Sequence, residues 1–288
     1  MHPSASRLSS ADRERVIAVA KDINADILPN GLKSEVGVVR DIVVPCSSGN
    51  IACRVYHSAQ SASLGTVLLI HGGAWIAGSI DFHDNMARLL CSISQAHVVS
   101  IEYSCAPDAM YPTQLEEIRS VIRWLSSAAP SAGVQPRPLA VCGDSAGGNM
   151  AAVIARESPA NSIALVALIN PIVDLTLAHL KVPEVRVFAE MMVRAYLPKD
   201  ADASDPGLSP LLGAVPASHP PAFIAIGDSD PWRVEQELYA GKLQRAGVKL
   251  EVFRAATSHL GPNAPAATPL AIPTLTAAAL AIRAALGG

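Results

Sequence analysis

The sequence predicts an α/β fold in which helices flank both faces of a mostly parallel, eight-stranded sheet. Short continuous apolar runs alternate along the chain with segments whose apolar residues follow helical spacing. Strands that read as continuous apolar runs are typical of parallel sheets, because both of their faces are buried. Half of the 288 residues are hydrophobic, which is enough to fill such a core.

The first elements precede this alternation. Apolar residues recur at helical spacing over residues 10–28, which predicts a helix, and Pro29-Asn30-Gly31 is expected to end it. Two β-rich runs, at 36–44 and 51–56, then follow each other closely. We therefore expect an antiparallel pair of strands at one edge of the sheet.

From residue 66 onward, strands and helices alternate. The predicted strands are 66–70, 98–103, 138–142, 163–169, 222–226 and 248–253. The predicted helices between and after them are 83–96, 113–128, 146–157, 232–246 and 268–286. In open parallel sheets, functional side chains gather at the carboxyl ends of the strands.

Two segments interrupt this pattern within what we interpret as a single domain, 1–288. Residues 1–35 precede the sheet, and residues 175–205 separate two strands. The second segment places Phe188, Met192 and nearby apolar residues on one helical face. We expect both segments to form a small helical cap over the active-site end, although an ordinary packed helix explains the same pattern.

Composition and charge exclude several functional classes. The net charge is −3 and the charged fraction is 16%, with no basic cluster, so nucleic acid is not an expected partner. No run is long enough to span a membrane, and the first ten residues lack the pattern of a secretory signal. The five cysteines show no metal-type or disulfide-type spacing. These features predict a cytoplasmic location with reduced thiols.

The sequence Gly-Asp-Ser-Ala-Gly at 143–147 follows a predicted strand and precedes a predicted helix. G-x-S-x-G in this context is the nucleophile elbow, a tight turn that exposes the serine hydroxyl beyond the sheet. Ser145 is therefore the candidate nucleophile, and the backbone amide of Ala146 points at the same space. A glycine-rich turn without chemistry is the alternative.

A second small-residue loop, His-Gly-Gly-Ala-Trp at 71–75, directly follows the strand 66–70. Loops of this kind supply backbone amides to the anion that forms during ester hydrolysis. With this loop and the elbow, the sequence resembles the hormone-sensitive-lipase-like branch of the α/β hydrolases. Further matching segments are Tyr-Ser-Cys-Ala-Pro at 103–107, Ser-Pro-Leu at 209–211 and Asp-Pro-Trp-Arg at 230–233.

The resemblance implies a set of oxyanion donors and contacts. The family's donor positions correspond to the amides of Gly73, Ala74 and Ala146, with Gly72 shaping the loop and, with Trp75, expected to contact the substrate. Alanine replaces a common glycine at position 74. It keeps the amide, so we expect the oxyanion hole to survive unless the backbone there requires a positive φ.

A base and an acid complete the expected machinery. The order in this fold is serine, then acid, then histidine, and His259 lies after the strand 248–253, at a strand carboxyl end. Asp228 and Asp230 both follow the strand 222–226. The family's acid precedes a proline, which implies Asp230 and leaves Asp228 as a turn residue.

These observations predict a serine carboxylesterase that hydrolyses short- to medium-chain acyl esters and needs no cofactor or metal. A lactone or arylformamide hydrolase would use the same triad. A non-catalytic small-molecule receptor and an interfacial triglyceride lipase are further alternatives. The family resemblance also implies a homodimer along residues 248–286, although a buried C-terminal helix explains that apolar surface equally well.

Overall fold

The structure, a computed structural model, describes residues 8–25, 34–46, 49–60, 63–127, 132–259 and 271–287. These residues contain eight strands and seven helices in one sheet-based architecture. The strands are β1 (Val39–Cys46), β2 (Gly49–Tyr56), β3 (Thr66–Ile70), β4 (His97–Ile101), β5 (Leu139–Asp144), β6 (Leu165–Ile169), β7 (Ala222–Gly227) and β8 (Leu250–Ala255). The helices are α1 (Ser10–Ala25), α2 (Asp84–Ser94), α3 (Thr113–Ser127), α4 (Ser145–Glu157), α5 (Pro183–Tyr196), α6 (Arg233–Arg245) and α7 (Ala271–Gly287).

The strand order is β1-β2-β4-β3-β5-β6-β7-β8. The β1–β2 and β2–β4 pairs are antiparallel, and every later pair is parallel. The predicted sheet and its antiparallel edge are therefore confirmed. Each parallel connection passes through a helix, since parallel neighbours cannot be joined by a tight turn.

Both faces of the sheet are buried, as the continuous apolar runs predict. Along β3, Leu68 and Ile70 face a core shared with α3, α4 and α6, whereas Val67 and Leu69 face a core shared with α2 and α7. All five residues of β3 are buried. The period-two alternation of side chains explains why a strand between two helical layers contains no polar face.

The helices α1 and α5 form a third apolar cluster that is separate from the two sheet cores. Val16 of α1 packs with Met191 and Met192 of α5, and the loop residues Ile76 and Ala77 complete the cluster. This cluster lies against the loop that follows β3. Three parts of the predictions lie outside the described residues. They are the end of the predicted first helix at 26–28, its expected stop at 29–31, and the start of the predicted last helix at 268–270.

The boundaries of several elements differ slightly from the predicted ones. The helix α4 begins at Ser145 itself, and β5 continues to Asp144, because the turn between them is a single sharp change of direction. Among the described residues, no helix combines the length and the apolar character needed to cross a membrane.

Candidate active site

Ser145 lies at the junction of β5 and α4, in the left-handed region of backbone conformation with φ of 52°. A side chain on either flanking glycine would be blocked. A Cβ on Gly143 would meet the carbonyl of Gly147, and a Cβ on Gly147 would meet the carbonyl of Ile70. The glycines permit the turn, and the turn places the hydroxyl at the carboxyl edge of the sheet.

The structure brings Ser145, His259 and Asp230 together from three separate chain segments. The Ser145 Oγ lies 2.8 Å from Nε2 of His259, and Nδ1 of the same ring lies 2.9 Å from Oδ2 of Asp230. All three side chains are buried. With the ring proton on Nδ1, His259 donates to the carboxylate and accepts the serine hydroxyl, which is the arrangement a general base needs.

Asp230 receives two further hydrogen bonds. The backbone amide of Trp232 donates to Oδ1 at 2.8 Å, and the side-chain amide of Gln236 donates to Oδ2 at 3.0 Å. Asp228, the alternative acid, is exposed and does not contact the imidazole. Gln236 is not among the residues predicted from the sequence, because its role depends on the path of α6 past the loop that carries Asp230.

The loop after β3 lies beside the serine. Gly73 has φ of 122° and Ala74 has φ of 54°, and neither amide has an acceptor among the described residues. The amide of Ala146 belongs to the first turn of α4, where no intrahelical acceptor exists. The backbone at 74 therefore does require a positive φ, and alanine adopts it at a steric cost.

Asp144 ties this loop to the elbow. Its Oδ1 accepts the Gly72 amide at 2.9 Å, and its Oδ2 lies 3.3 Å from Nε2 of His83. Burial alone would raise the pKa of Asp144, but His83, His71 and the Gly72 amide outweigh it and hold that pKa below its ordinary value. The Asp144 carboxylate thus connects the loop after β3 to the turn that carries Ser145.

His71 anchors the same loop from within the core. Its Nδ1 lies 2.8 Å from the Gly72 carbonyl, and the ring of Tyr103 stacks on it with 4.1 Å between centroids. The Tyr103 hydroxyl donates to the His71 carbonyl at 2.9 Å. Complete burial, with His83 nearby, lowers the pKa of His71 to about 3. The ring is neutral at ordinary pH and serves to hold the loop.

An apolar cavity of about 140 Å³ opens beside Ser145 and His259. Its walls come from the loop after β3, from α1, from α5, and from the loops after β6 and β7. The side chains that enclose it include Ile23, Trp75, Phe82, Leu177, Phe188, Met192 and Trp232. The cavity therefore offers space for a small apolar group next to the serine hydroxyl.

No group of three or more histidine, cysteine or acidic side chains within the described residues is arranged to hold a metal ion. The chemistry that Ser145, His259 and Asp230 can perform together is nucleophilic attack by an activated hydroxyl.

Comparison with known proteins identifies the family. A family model described as the alpha/beta hydrolase fold matches residues 67–259. A protein named arylesterase from Saccharolobus solfataricus is 30% identical over 232 residues, which are 77% of this chain and 76% of that protein. A protein named ethyl acetate hydrolase from Pseudomonas putida is 30% identical over 240 residues, which are 77% of this chain and 74% of that protein.

Solved structures agree with these matches. The crystal structure of a thermostable carboxylesterase cloned from a metagenomic library superimposes with a TM-score of 0.81. That protein is 32% identical, and the match covers 97% of this chain and 99% of the other. The fold, the order of the motifs and the similarity to these proteins all indicate the same family, and they do so over most of the chain. The chain therefore belongs to the hormone-sensitive-lipase-like branch of the alpha/beta hydrolase fold family.

Proposed function

We propose that this protein is a serine carboxylesterase that hydrolyses short- to medium-chain acyl esters through an acyl-enzyme on Ser145. The observation that carries the proposal is the continuous relay from Ser145 through His259 to Asp230, with contacts of 2.8 and 2.9 Å. The relay opens onto an apolar cavity. Relatives named arylesterase and ethyl acetate hydrolase support the same reaction class.

In the first half of the reaction, Ser145 Oγ attacks the ester carbonyl carbon and its proton passes to Nε2 of His259. The resulting imidazolium is stabilised by the Asp230 carboxylate at its Nδ1. The new C–O bond leaves a negative charge on the carbonyl oxygen. We assign the amides of Gly73, Ala74 and Ala146 to this oxygen, since one such donor typically contributes a factor of about 10²–10³ in rate.

When the tetrahedral anion collapses, the bond to the alcohol oxygen breaks and Nε2 of His259 gives its proton to that oxygen. The acyl group stays on Ser145. In the second half, water attacks the acyl carbon and passes a proton to the now neutral His259. Collapse then breaks the bond to Oγ, the serine takes the proton back, and the carboxylic acid leaves.

The cavity supports a preference for small acyl or alcohol groups. An apolar cavity of about 150 Å³ holds a group of the size of benzene, and the volume beside Ser145 is about 140 Å³. We propose that Gly72 and Trp75, which both line it, contact the bound ester. A rate profile across nitrophenyl esters of increasing acyl length is expected to peak at short chains and fall beyond them.

We also propose that the segments 1–35 and 175–205 form a small cap within one domain, 1–288. In support, α1 contributes Ile23 and α5 contributes Phe188 and Met192 to the cavity wall, and the two helices pack on each other. Residues 1–7 and 26–33 of the first segment lie outside the described residues. Met192→Ala is expected to shift the acyl-length profile toward longer chains, whereas a profile that stays unchanged would contradict the cap assignment.

Single substitutions test the reaction itself. Ser145→Ala and His259→Ala are each expected to lower kcat on a chromogenic short-chain ester by about 10⁴-fold or more, because the nucleophile or its base is lost. Ser126→Ala, at an exposed serine of α3, and His219→Ala, at a half-buried histidine outside the cavity, are the matched controls. Wild-type turnover in Ser145→Ala would refute the mechanism.

The same assays separate the related reactions. A panel of esters, lactones and formyl-arylamines, each tested with wild type and Ser145→Ala, shows which bond the relay cleaves fastest. We expect the esters to be the fastest. Ligand affinity without any Ser145-dependent turnover would instead indicate a receptor.

We also propose an oligomeric state and a cellular location. The strand β8 pairs only with β7 among the described strands, which leaves an edge available for a second copy, and we propose a homodimer along residues 248–286. Residues 260–270 of that region lie outside the described residues. Sedimentation across a concentration series tests this proposal. A mass of two chains is expected, and a mass of one chain at every concentration would contradict it.

We propose a cytoplasmic location, because all five cysteines are free, as in reducing compartments. Cell fractionation tests it, and recovery of the protein outside the cytoplasmic fraction would contradict it.

A further inference from the structure

Gln236 lies in the first turn of α6 and is completely buried behind the acid. Its Nε2 is 3.0 Å from Oδ2 of Asp230, the same oxygen that lies 2.9 Å from Nδ1 of His259. One carboxylate oxygen thus receives two N–H donors. The other oxygen accepts the Trp232 amide at 2.8 Å, so the carboxylate is held at both ends.

The orientation of the Gln236 amide follows from the carboxylate it faces. An amide turned the other way would place Oε1 against Oδ2 of Asp230, and two acceptors repel each other. With Nε2 directed at Asp230, the Oε1 atom is buried and has no partner among the described residues. A buried acceptor without a partner is a cost to stability, which an apolar side chain of similar volume would avoid. The amide is therefore retained for its contact with the carboxylate.

We propose that Gln236 is a positioning residue for the Asp230–His259 pair, and this proposal rests on the esterase function proposed above. It acts in two ways. Its hydrogen bond prevents the carboxylate from rotating away from the imidazole. It also withdraws part of the negative charge of Oδ2, so the imidazolium formed during catalysis is stabilised less strongly than by a carboxylate with a single donor.

The path of the chain supports this role. The Gln236 backbone amide donates to the Trp232 carbonyl at 3.2 Å, and the neighbouring Glu235 side chain accepts the Val173 amide at 2.7 Å. The first turn of α6 is thereby tied both to the loop of the acid and to the loop after β6. Among the described residues, the titratable side chains Asp144 and His83 also line the cavity beside the pair. Glu235 interacts electrostatically with both Asp230 and Asp174.

The test compares Gln236→Leu with Gln236→Glu, and uses Gln244→Leu at an exposed position of the same helix as the matched control. In Gln236→Leu the charge of Oδ2 is no longer shared with an amide, so the carboxylate stabilises the imidazolium more strongly. The acid limb of kcat/KM against pH is expected to move up by about 0.5 to 1 pH unit. We expect kcat to fall by about 3- to 10-fold with KM unchanged, because the acid loses its alignment.

Gln236→Glu adds a second carboxylate beside the first, so the acid limb is expected to move further in the same direction. Gln244→Leu is expected to match wild type in both the pH profile and kcat. A purely structural role would lower the melting temperature and leave the acid limb in place. An acid limb that coincides with wild type in both Gln236 variants would overturn the proposal, as would failure of both variants to fold.

A second readout separates this proposal from the proposed function. The Nδ1 proton of His259, which faces Oδ2 of Asp230 at 2.9 Å, is expected to give a low-field NMR resonance whose position depends on how Oδ2 is shared. That resonance is expected to move in Gln236→Leu and to stay in Gln244→Leu. If wild type shows no Ser145-dependent hydrolysis, the esterase function fails, while the resonance still decides whether Gln236 shares the carboxylate. An unchanged resonance in Gln236→Leu counts against the positioning role.

Discussion

The indole ring of Trp232 packs against the imidazole of His259, with 4.4 Å between ring centroids and 42° between ring planes. The same residue donates its backbone amide to Asp230 and lines the cavity beside Ser145. Trp232 thus serves three parts of the site. Its ring contacts the base, His259, and lines the cavity, and its backbone amide holds the acid, Asp230.

Replacing this ring is expected to disturb both stability and catalysis. Trp232→Ala removes a buried aromatic side chain, so the free energy of unfolding falls by about 3 kcal/mol. The imidazole of His259 loses the ring that packs against it, so it is aligned less well with Ser145, and kcat/KM falls by about 10-fold or more. Urea titration and ester hydrolysis measure the two effects.

Two controls locate the effect of Trp232. Trp232→Phe keeps an aromatic ring against His259 and is expected to recover most of kcat/KM. Trp124→Ala, at a half-buried tryptophan of α3 outside the cavity, is expected to lower stability without lowering kcat/KM. Equal catalytic losses in Trp232→Ala and Trp124→Ala would contradict a specific role for the ring.

Ala74→Gly is expected to stabilise the protein. Ala74 has φ of 54°, a conformation that costs a residue with a Cβ about 1 kcal/mol and costs glycine nothing. The free energy of unfolding should rise by about that amount, as measured by urea titration. Glycine keeps the backbone amide, so the variant still hydrolyses esters.

Ala77→Gly is the matched control for this prediction. Ala77 lies three residues further along the same loop, is buried and has no positive φ. Its replacement removes packing and adds backbone freedom, so the free energy of unfolding is expected to fall by about 1 kcal/mol. Loss of stability in both variants would show that the conformation at 74 is not strained.

Glu235 predicts a pH dependence of stability. Burial raises the pKa of its carboxyl from 4.5 to about 8. The unfolded chain ionises this group above pH 4.5, whereas the folded chain keeps it protonated up to about pH 8. Its contribution to stability is therefore complete below 4.5 and is lost as pH rises between these values, by roughly 1.4 kcal/mol per pKa unit.

Glu235→Gln tests this dependence. The amide keeps an acceptor for the Val173 and Asp174 backbone amides but does not ionise. The slope of unfolding free energy against pH between 5 and 8 is expected to become shallower, and the variant is expected to be more stable than wild type at pH 8. Glu251→Gln, at an exposed glutamate of β8, serves as the control and should keep the wild-type slope.

Asp144 predicts a pH dependence of stability that is opposite in sign to that of Glu235. Its pKa is held below the ordinary value of 3.8, so its contribution to stability is present above pH 3.8 and is lost as pH falls through the lowered value. Asp144→Asn does not titrate and is expected to lose less stability than wild type between pH 5 and pH 2. Guanidinium unfolding at several pH values measures this, and parallel curves for the two proteins would contradict it.

Asp144→Ala tests the bracing of the loop after β3. It removes the acceptor of the Gly72 amide, so the neighbouring amides are held less well and kcat is expected to fall by about 10-fold. Asp144→Asn keeps an oxygen acceptor and is expected to lose less. If the two substitutions lower kcat equally, the contact with Gly72 is not what positions the loop.

Much of the fold could be predicted, because the burial of a strand or helix determines the pattern of apolar residues along it. The run Thr66–Ile70 is apolar throughout, since both faces of β3 are covered. The elbow at 143–147 could be predicted because a tight turn with φ of 52° at its serine requires flanking glycines. Where a local conformation demands a residue type, reading the sequence is sufficient.

The contacts between distant segments could not be predicted in the same way. Gln236 and Trp232 hold the acid, and Asp144 reaches Gly72 across 72 positions. Three of these residues lie in motifs that the sequence shows, but the motifs do not predict the contacts, because a hydrogen bond between separate loops imposes no periodicity on either of them.

By itself, the sequence determined the alternation of strands and helices, the strained serine turn and the order of nucleophile, acid and base. The resemblance implied Asp230 rather than Asp228, and the tertiary structure shows Asp230 facing His259. Only the tertiary structure decided that Ala74 adopts a positive φ and that α6 directs a second donor at the acid. The physical reason is that periodicity and turn chemistry are local, whereas the approach of side chains depends on how helices pack across the completed sheet.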